Sequence, residues 1–117
     1  MFNASEITAS LTVADIKKST AWYRDVIGFE VQQEHERDGA VRAVALKAGN
    51  VRILLNQEDG KKGWDRKKGQ GFSLQFITSN GGTLDSEPAD MPWGVRMFRL
   101  TDPDGFKFAF SAPLNGA

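Results

Sequence analysis

Residues 7–29 read ITASLTVADIKKSTAWYRDVIGF, and a change of hydrophobic period inside this stretch decides the fold. Ile7, Ala9, Leu11 and Val13 alternate with Thr8, Ser10 and Thr12, the period of two that marks a half-buried strand. Asp15 then offers a carboxylate to the orphan amides of a helix start. Ile16, Thr20, Tyr23 and Ile27, flanked by Trp22 and Val26, form a mostly apolar stripe at helical spacing. Gly28 supplies the left-handed residue on which helices commonly end. Working outward, residues 29–37 and 41–47 read as strands about an Asp38-Gly39 hairpin turn, and Gly49-Asn50 turns into a further strand over 51–56. The first half is therefore β-α-β-β-β.

The second half repeats part of this order. Residues 57–70 form a polar joint carrying Lys61, Lys62, Arg66, Lys67 and Lys68, with Trp64 alone in its middle. Residues 72–78 alternate again, Phe72, Leu74 and Phe76 opposite Ser73, Gln75 and Ile77. A strand over 95–101, a tight Asp102-Pro103-Asp104-Gly105 turn and a partner strand over 106–111 complete a hairpin. The expected division is a single domain, 1–117, with module one at about 5–58, a linker at 59–70 and module two at about 71–113.

The totals narrow the function. A chain of 117 residues, 40% hydrophobic and 26% charged, is long enough for one ordinary core and too short for separate catalytic and cofactor domains. Fifteen basic residues balance fifteen acidic ones, so nothing in the charge predicts a nucleic-acid partner. The absence of cysteine excludes disulfides and thiolate chemistry and fits a reducing compartment. Without a signal-like N-terminus or a bilayer-length apolar run, the expectation is a cytoplasmic protein with no membrane partner.

Four segments in order resemble the glyoxalase, bleomycin-resistance and extradiol-dioxygenase families, the vicinal oxygen chelate superfamily. They are Leu-Thr-Val-Ala-Asp-Ile at 11–16, Trp-Tyr-Arg-Asp-Val-Ile-Gly-Phe at 22–29, Pro-Trp-Gly at 92–94 and Phe-Arg-Leu-Thr-Asp-Pro-Asp-Gly at 98–105. The resemblance runs from about Ile7 to Ala112 and implies an α+β fold, paired βαβββ modules making a cup-shaped mixed sheet around a small-molecule cleft. One departure is large. Between the fifth and sixth strands, where the superfamily places a second helix, residues 78–83 show no helical pattern. A parallel crossover needs roughly a dozen residues, and Asn80-Gly81 reads instead as a hairpin turn.

The resemblance also implies where a metal would sit. Metal enzymes of the superfamily fill four inward positions with His, Glu or Gln, and in this chain those positions fall on Thr8, Arg52, Ser73 and Ala109. Two hydroxyls, a cation and a methyl group make no site for a divalent ion, so no metal and no cofactor is expected. The single histidine, His35, lies beside Glu34 and Glu36, which point to the opposite side of a strand and could not join it as ligands. It reads as a surface residue.

Alternation places hydroxyls, amides and cations on the inner face and Leu11, Val13, Ile53, Leu55, Phe72, Leu74, Phe76, Phe98, Leu100, Phe106, Phe108 and Phe110 on the other. The candidate ligand-binding residues are Thr8, Arg52, Asn56, Ser73, Gln75, Met97, Arg99 and Lys107, with Trp64 and Trp93 at the rim. Such a cleft suits a non-catalytic binder of an anionic or polar aromatic molecule. A metal-dependent lyase, isomerase or dioxygenase is the alternative, and a scaffold-only or engineered variant a third. The apolar side of the second module, short of helical cover, predicts a homodimer, open to strand exchange near Ser79–Gly82.

Overall fold

A computed structural model describes residues 1–77, 89–90 and 95–113. Strand β1, Ala9–Val13, leads into helix α1, Ile16–Trp22. The Asp15 carboxylate accepts from the Lys18 amide at 3.2 Å, the cap expected there. Gln57 reinforces the helix start, accepting from the Ile16 amide at 2.9 Å while donating to the Ala14 carbonyl at 2.7 Å. The helix does not run on in α form as far as Gly28. From Tyr23 to Ile27 it widens into one π-helical turn, and Gly28, at φ 103°, closes it with both its own amide and that of Phe29 on the Tyr23 carbonyl.

Strands β2, Glu30–Arg37, β3, Ala40–Ala48, and β4, Val51–Gln57, follow. Asp38 and Gly39 both take positive φ, the type I′ turn whose twist matches that of its strands. The second half supplies β5, Leu74–Ile77, β6, Ala89–Asp90, β7, Val95–Thr101, and β8, Lys107–Pro113. The two halves have the same topology: β1-β4-β3-β2 in one sheet and β5-β8-β7-β6 in the other. In each the first strand pairs parallel with the last, and the remaining pairs are antiparallel. The mixed α+β architecture is the one expected, with α1 and its π turn the helical segment among the described residues.

The hairpin expected at Asn80-Gly81 lies outside the described residues. The pairing around it nevertheless differs from a hairpin, since β5 lies beside β8 while β6 occupies the far edge beside β7. Parallel pairing with β8 sets Phe76 beside Phe108 and Phe110 on one face of the sheet.

Both sheets feed one core. Leu11, Val13, Val44, Leu46, Ile53 and Leu55 from the first meet Leu100, Phe106, Phe108 and Phe110 from the second, with Ile16, Tyr23 and Phe29 between. The aromatic rings form the joint: Tyr23 stands edge-on to Phe108 at 5.6 Å, Phe29 edge-on to Phe76 at 5.8 Å, and Phe76 stacks on Phe108 and Phe110. Phe76, expected as a core residue, is only partly buried and packs against that core from outside. Thr20 faces the same interior, and among the described residues its buried hydroxyl has no hydrogen-bond partner. Thr20→Val keeps the shape and removes that debt, so it is expected to raise stability by roughly 1 kcal/mol, read as a higher urea midpoint.

Candidate functional site

The site begins where the first sheet ends. Gln57 leaves β4, and the Glu58 amide donates to the Val13 carbonyl at 2.8 Å, which brings the chain back beside β1. Glu58 is 3% exposed, unusual for a carboxylate without partners. Its partners are cations of the segment that follows: Arg66 Nε at 2.9 Å and Lys68 Nζ at 3.2 Å, with the Gly60 amide at 3.3 Å. The Arg66 hydrogen bond, helped by those from Lys68 and Gly60, holds the Glu58 carboxyl below its ordinary range. Lys68, its side chain 9% exposed, also reaches Asp104 at 3.6 Å. A single buried carboxylate therefore gathers both ends of the stretch from 59 to 68.

The second module holds this stretch from the other side through the Asp102–Gly105 turn. Asp102 accepts from the amides of Asp104 and Phe106 at 2.9 and 2.8 Å and from the Tyr23 hydroxyl at 2.5 Å. Burial pushes the Asp102 carboxyl up, against the downward pull of those three donors. Burial likewise raises Tyr23, and the Asp102 charge raises it further, so the phenol remains a donor. Asp104 accepts from the Ala14 amide at 2.8 Å and the Ser19 hydroxyl at 3.3 Å, tying the turn to the start of α1. Gly69, at φ 74°, passes so close to the Gly105 carbonyl that no side chain fits between them.

These constraints frame an open cleft of about 430 Å³, lined by Ser10 and Thr12 of β1, by Arg66, Lys67, Lys68, Gly69 and Gln70, and by Phe72 and Phe106. The lining thus combines hydroxyl-bearing, basic and aromatic residues. The polar residues 59–70, expected as a linker, supply the basic ones. Phe72, expected on the core face, is 48% exposed and turns its ring into the cleft beside Phe106, at 6.2 Å between centroids.

The residues expected to bind ligand are placed as follows. Thr8 and Arg52 both contact one carboxylate, Glu6, at 3.2 and 2.5 Å, and the guanidinium holds that carboxyl below its usual range. Asn56 donates to Ser10 at 2.7 Å, which ties it to the cleft wall at one remove. Ser73, Gln75, Arg99 and Lys107 are exposed on the second module. Gln75 and Arg99 share a ladder position with Ala109, and Met97 is placed on β7 opposite Ser111. Trp64 is 68% exposed over Gly60 rather than at the cleft, and Trp93 lies outside the described residues. Ser10, Thr12, Phe72, Phe106 and the basic run 66–68 thus line the described cleft. The signal for the basic run was its charge density, read as a solvated joint because the Glu58 anchor makes contacts eight and ten residues away.

The four metal positions do not fit a divalent ion. Thr8 and Arg52 are joined through Glu6, so an ion there would have to displace a guanidinium. The next inward residue of β4 is Leu54, and Ala109 is buried with no donor atom. Among the described residues no three His, Cys, Asp or Glu side chains are grouped to hold a metal. His35 is exposed on β2 opposite Ala43.

Comparison with known proteins agrees with the fold. Residues 6–80 match the family model described as Glyoxalase/Bleomycin resistance protein/Dioxygenase superfamily. A superfamily member from Sphaerobacter thermophilus DSM 20745 is 25% identical, with a TM-score of 0.70 over 94% of this chain and 98% of that one. TnmS3, an antibiotic binding protein from Streptomyces sp. CB03234, is 19% identical, with a TM-score of 0.69 over 97% of this chain and 99% of that one. Lactoylglutathione lyase from Agrobacterium tumefaciens is 19% identical, with a TM-score of 0.63 over 94% of each. No curated protein matches.

Proposed function

Since the chain belongs to the Glyoxalase/Bleomycin resistance protein/Dioxygenase superfamily, we propose that it is a metal-free small-molecule binding protein whose ligand is anionic or a polar aromatic. The observation that carries this reading is the open cleft, whose lining brings together three basic residues, two phenylalanines, Ser10 and Thr12. Such a surface offers a charge, a stacking plane and orienting hydrogen bonds, and lacks a set of ligands able to polarise a substrate oxygen. The similarity in fold to an antibiotic binding protein supports the same class of activity. Arg52 contributes little to the basic character, because Glu6 offsets it.

A thermal-shift panel of anionic, neutral and cationic aromatic compounds tests the proposal. Saturating binders raise the melting temperature by linkage, and the anionic members are expected to do so while cationic ones do not. A panel in which cationic compounds alone shift the transition would contradict it.

The protein is further proposed to act as a homodimer in the cytoplasm. All eight residues of β2 are exposed, as are Val51 and Ile77, an uncovered edge and apolar surface suited to a second copy. No described helix is long and apolar enough to cross a membrane. Sedimentation at micromolar concentration is expected to give twice the mass of the chain; a single-chain mass would overturn the dimer.

A further inference from the structure

The cleft's basic wall is weaker than its sequence suggests, and the difference specifies the ligand's charge. Arg66, Lys67 and Lys68 all line the cleft. Two of them are already committed: Arg66 to Glu58, and Lys68 to both Glu58 and Asp104. Glu58 is nearly inaccessible, so a ligand that drew Arg66 or Lys68 away would leave a buried carboxylate short of its counter-charge. Lys67 stands differently. Like Arg66 it is exposed, but among the described residues it makes no ion pair. Three cations against two carboxylates leave one net positive charge at the wall, and it sits on Lys67.

Resting on the binding reading above, we infer that this cleft selects singly charged anions carrying an aromatic ring, with Lys67 as the selecting cation, Phe72 as the stacking plane and Glu58 as the residue that withholds the other two cations. A second negative charge on the ligand would meet cations whose attraction is already spent. A neutral ring would keep the stacking and lose the pairing, which at a partly exposed site is a modest effect.

Naphthalene derivatives of graded charge are suitable probes: 2-naphthol, 2-naphthalenesulfonate and 2,6-naphthalenedisulfonate, titrated calorimetrically at one ionic strength. The monosulfonate is expected to bind several-fold more tightly than the naphthol, and the disulfonate no more tightly than the monosulfonate. Lys67→Gln should bring the monosulfonate down to the naphthol's affinity. Glu58→Gln should do the reverse of a loss: by releasing Arg66 and Lys68 it should make the disulfonate the tightest of the three, a gain that misfolding cannot mimic. Affinity that climbs with each charge in the unmodified protein would overturn the selection rule and leave the binding proposal standing. Failure of all three compounds to bind, the neutral ring included, would overturn the binding proposal, and the rule with it.

Discussion

Phe108→Ala is expected to destabilise the protein by about 3–5 kcal/mol, the range for truncating a fully buried aromatic. Phe108 is 1% exposed and contacts Tyr23 from the first module and Phe76 and Phe110 from the second. Its loss opens a cavity at the joint, where neither sheet can close on the other without moving the Tyr23 hydroxyl away from Asp102. Urea unfolding followed by tryptophan fluorescence checks the size of the effect. A cost below about 1 kcal/mol would mean that the two modules do not share this core.

Gly69→Ala is expected to cost about 2–4 kcal/mol, from two additive causes. The residue occupies left-handed backbone at φ 74°, strained for alanine. The added methyl would also fall well inside contact distance of the Gly105 carbonyl, a backbone atom that cannot swing aside. Because Gly69 follows Lys68 directly, the forced shift should also weaken aromatic anion binding. Gly71 provides the control: it has positive φ too, yet a side chain there would meet open space, so Gly71→Ala should cost only about 1 kcal/mol. Equal costs at the two positions would show that conformation alone, and not the close approach to the turn, governs this segment.

Much of the fold was legible because its signals are local. The period change between Val13 and Ile16, the cap at Asp15, the Asp38-Gly39 turn and the phenylalanine alternation of the last strand each act over a few residues, and each element formed where they point. The π turn was not legible, since α and π forms bury the same stripe and differ by the single extra residue at Tyr23–Ile27. Pairing across the second sheet was also hidden. Asn80-Gly81 has good turn chemistry, but the sequence around it does not say that β5 finds its partner in β8, more than thirty residues on.

Around the candidate site, the apolar side was legible in the sequence and the ion pairs were not. Alternation correctly assigned Leu11, Val13, Ile53, Leu55 and Phe108 to a buried face. It could not tell that Arg52 and Thr8 would be taken up by Glu6, or that Lys68 would be buried between Glu58 and Asp104. The Arg52 and Lys68 contacts are ion pairs between residues ten or more apart, and residue spacing carries no trace of them. Phe72 illustrates the same limit: it keeps the strand's alternation in sequence, but β5 begins at Leu74, and the ring ahead of it is free to face the cleft.

The central claim is that the cleft binds its ligand without a metal. Its most direct test is one calorimetric titration of 2-naphthalenesulfonate performed twice, on protein purified without chelator and on the same protein after exhaustive treatment with EDTA. The predicted result is one site per chain with the same affinity in both. Binding that disappears on stripping and returns with zinc, nickel, iron or manganese would contradict it.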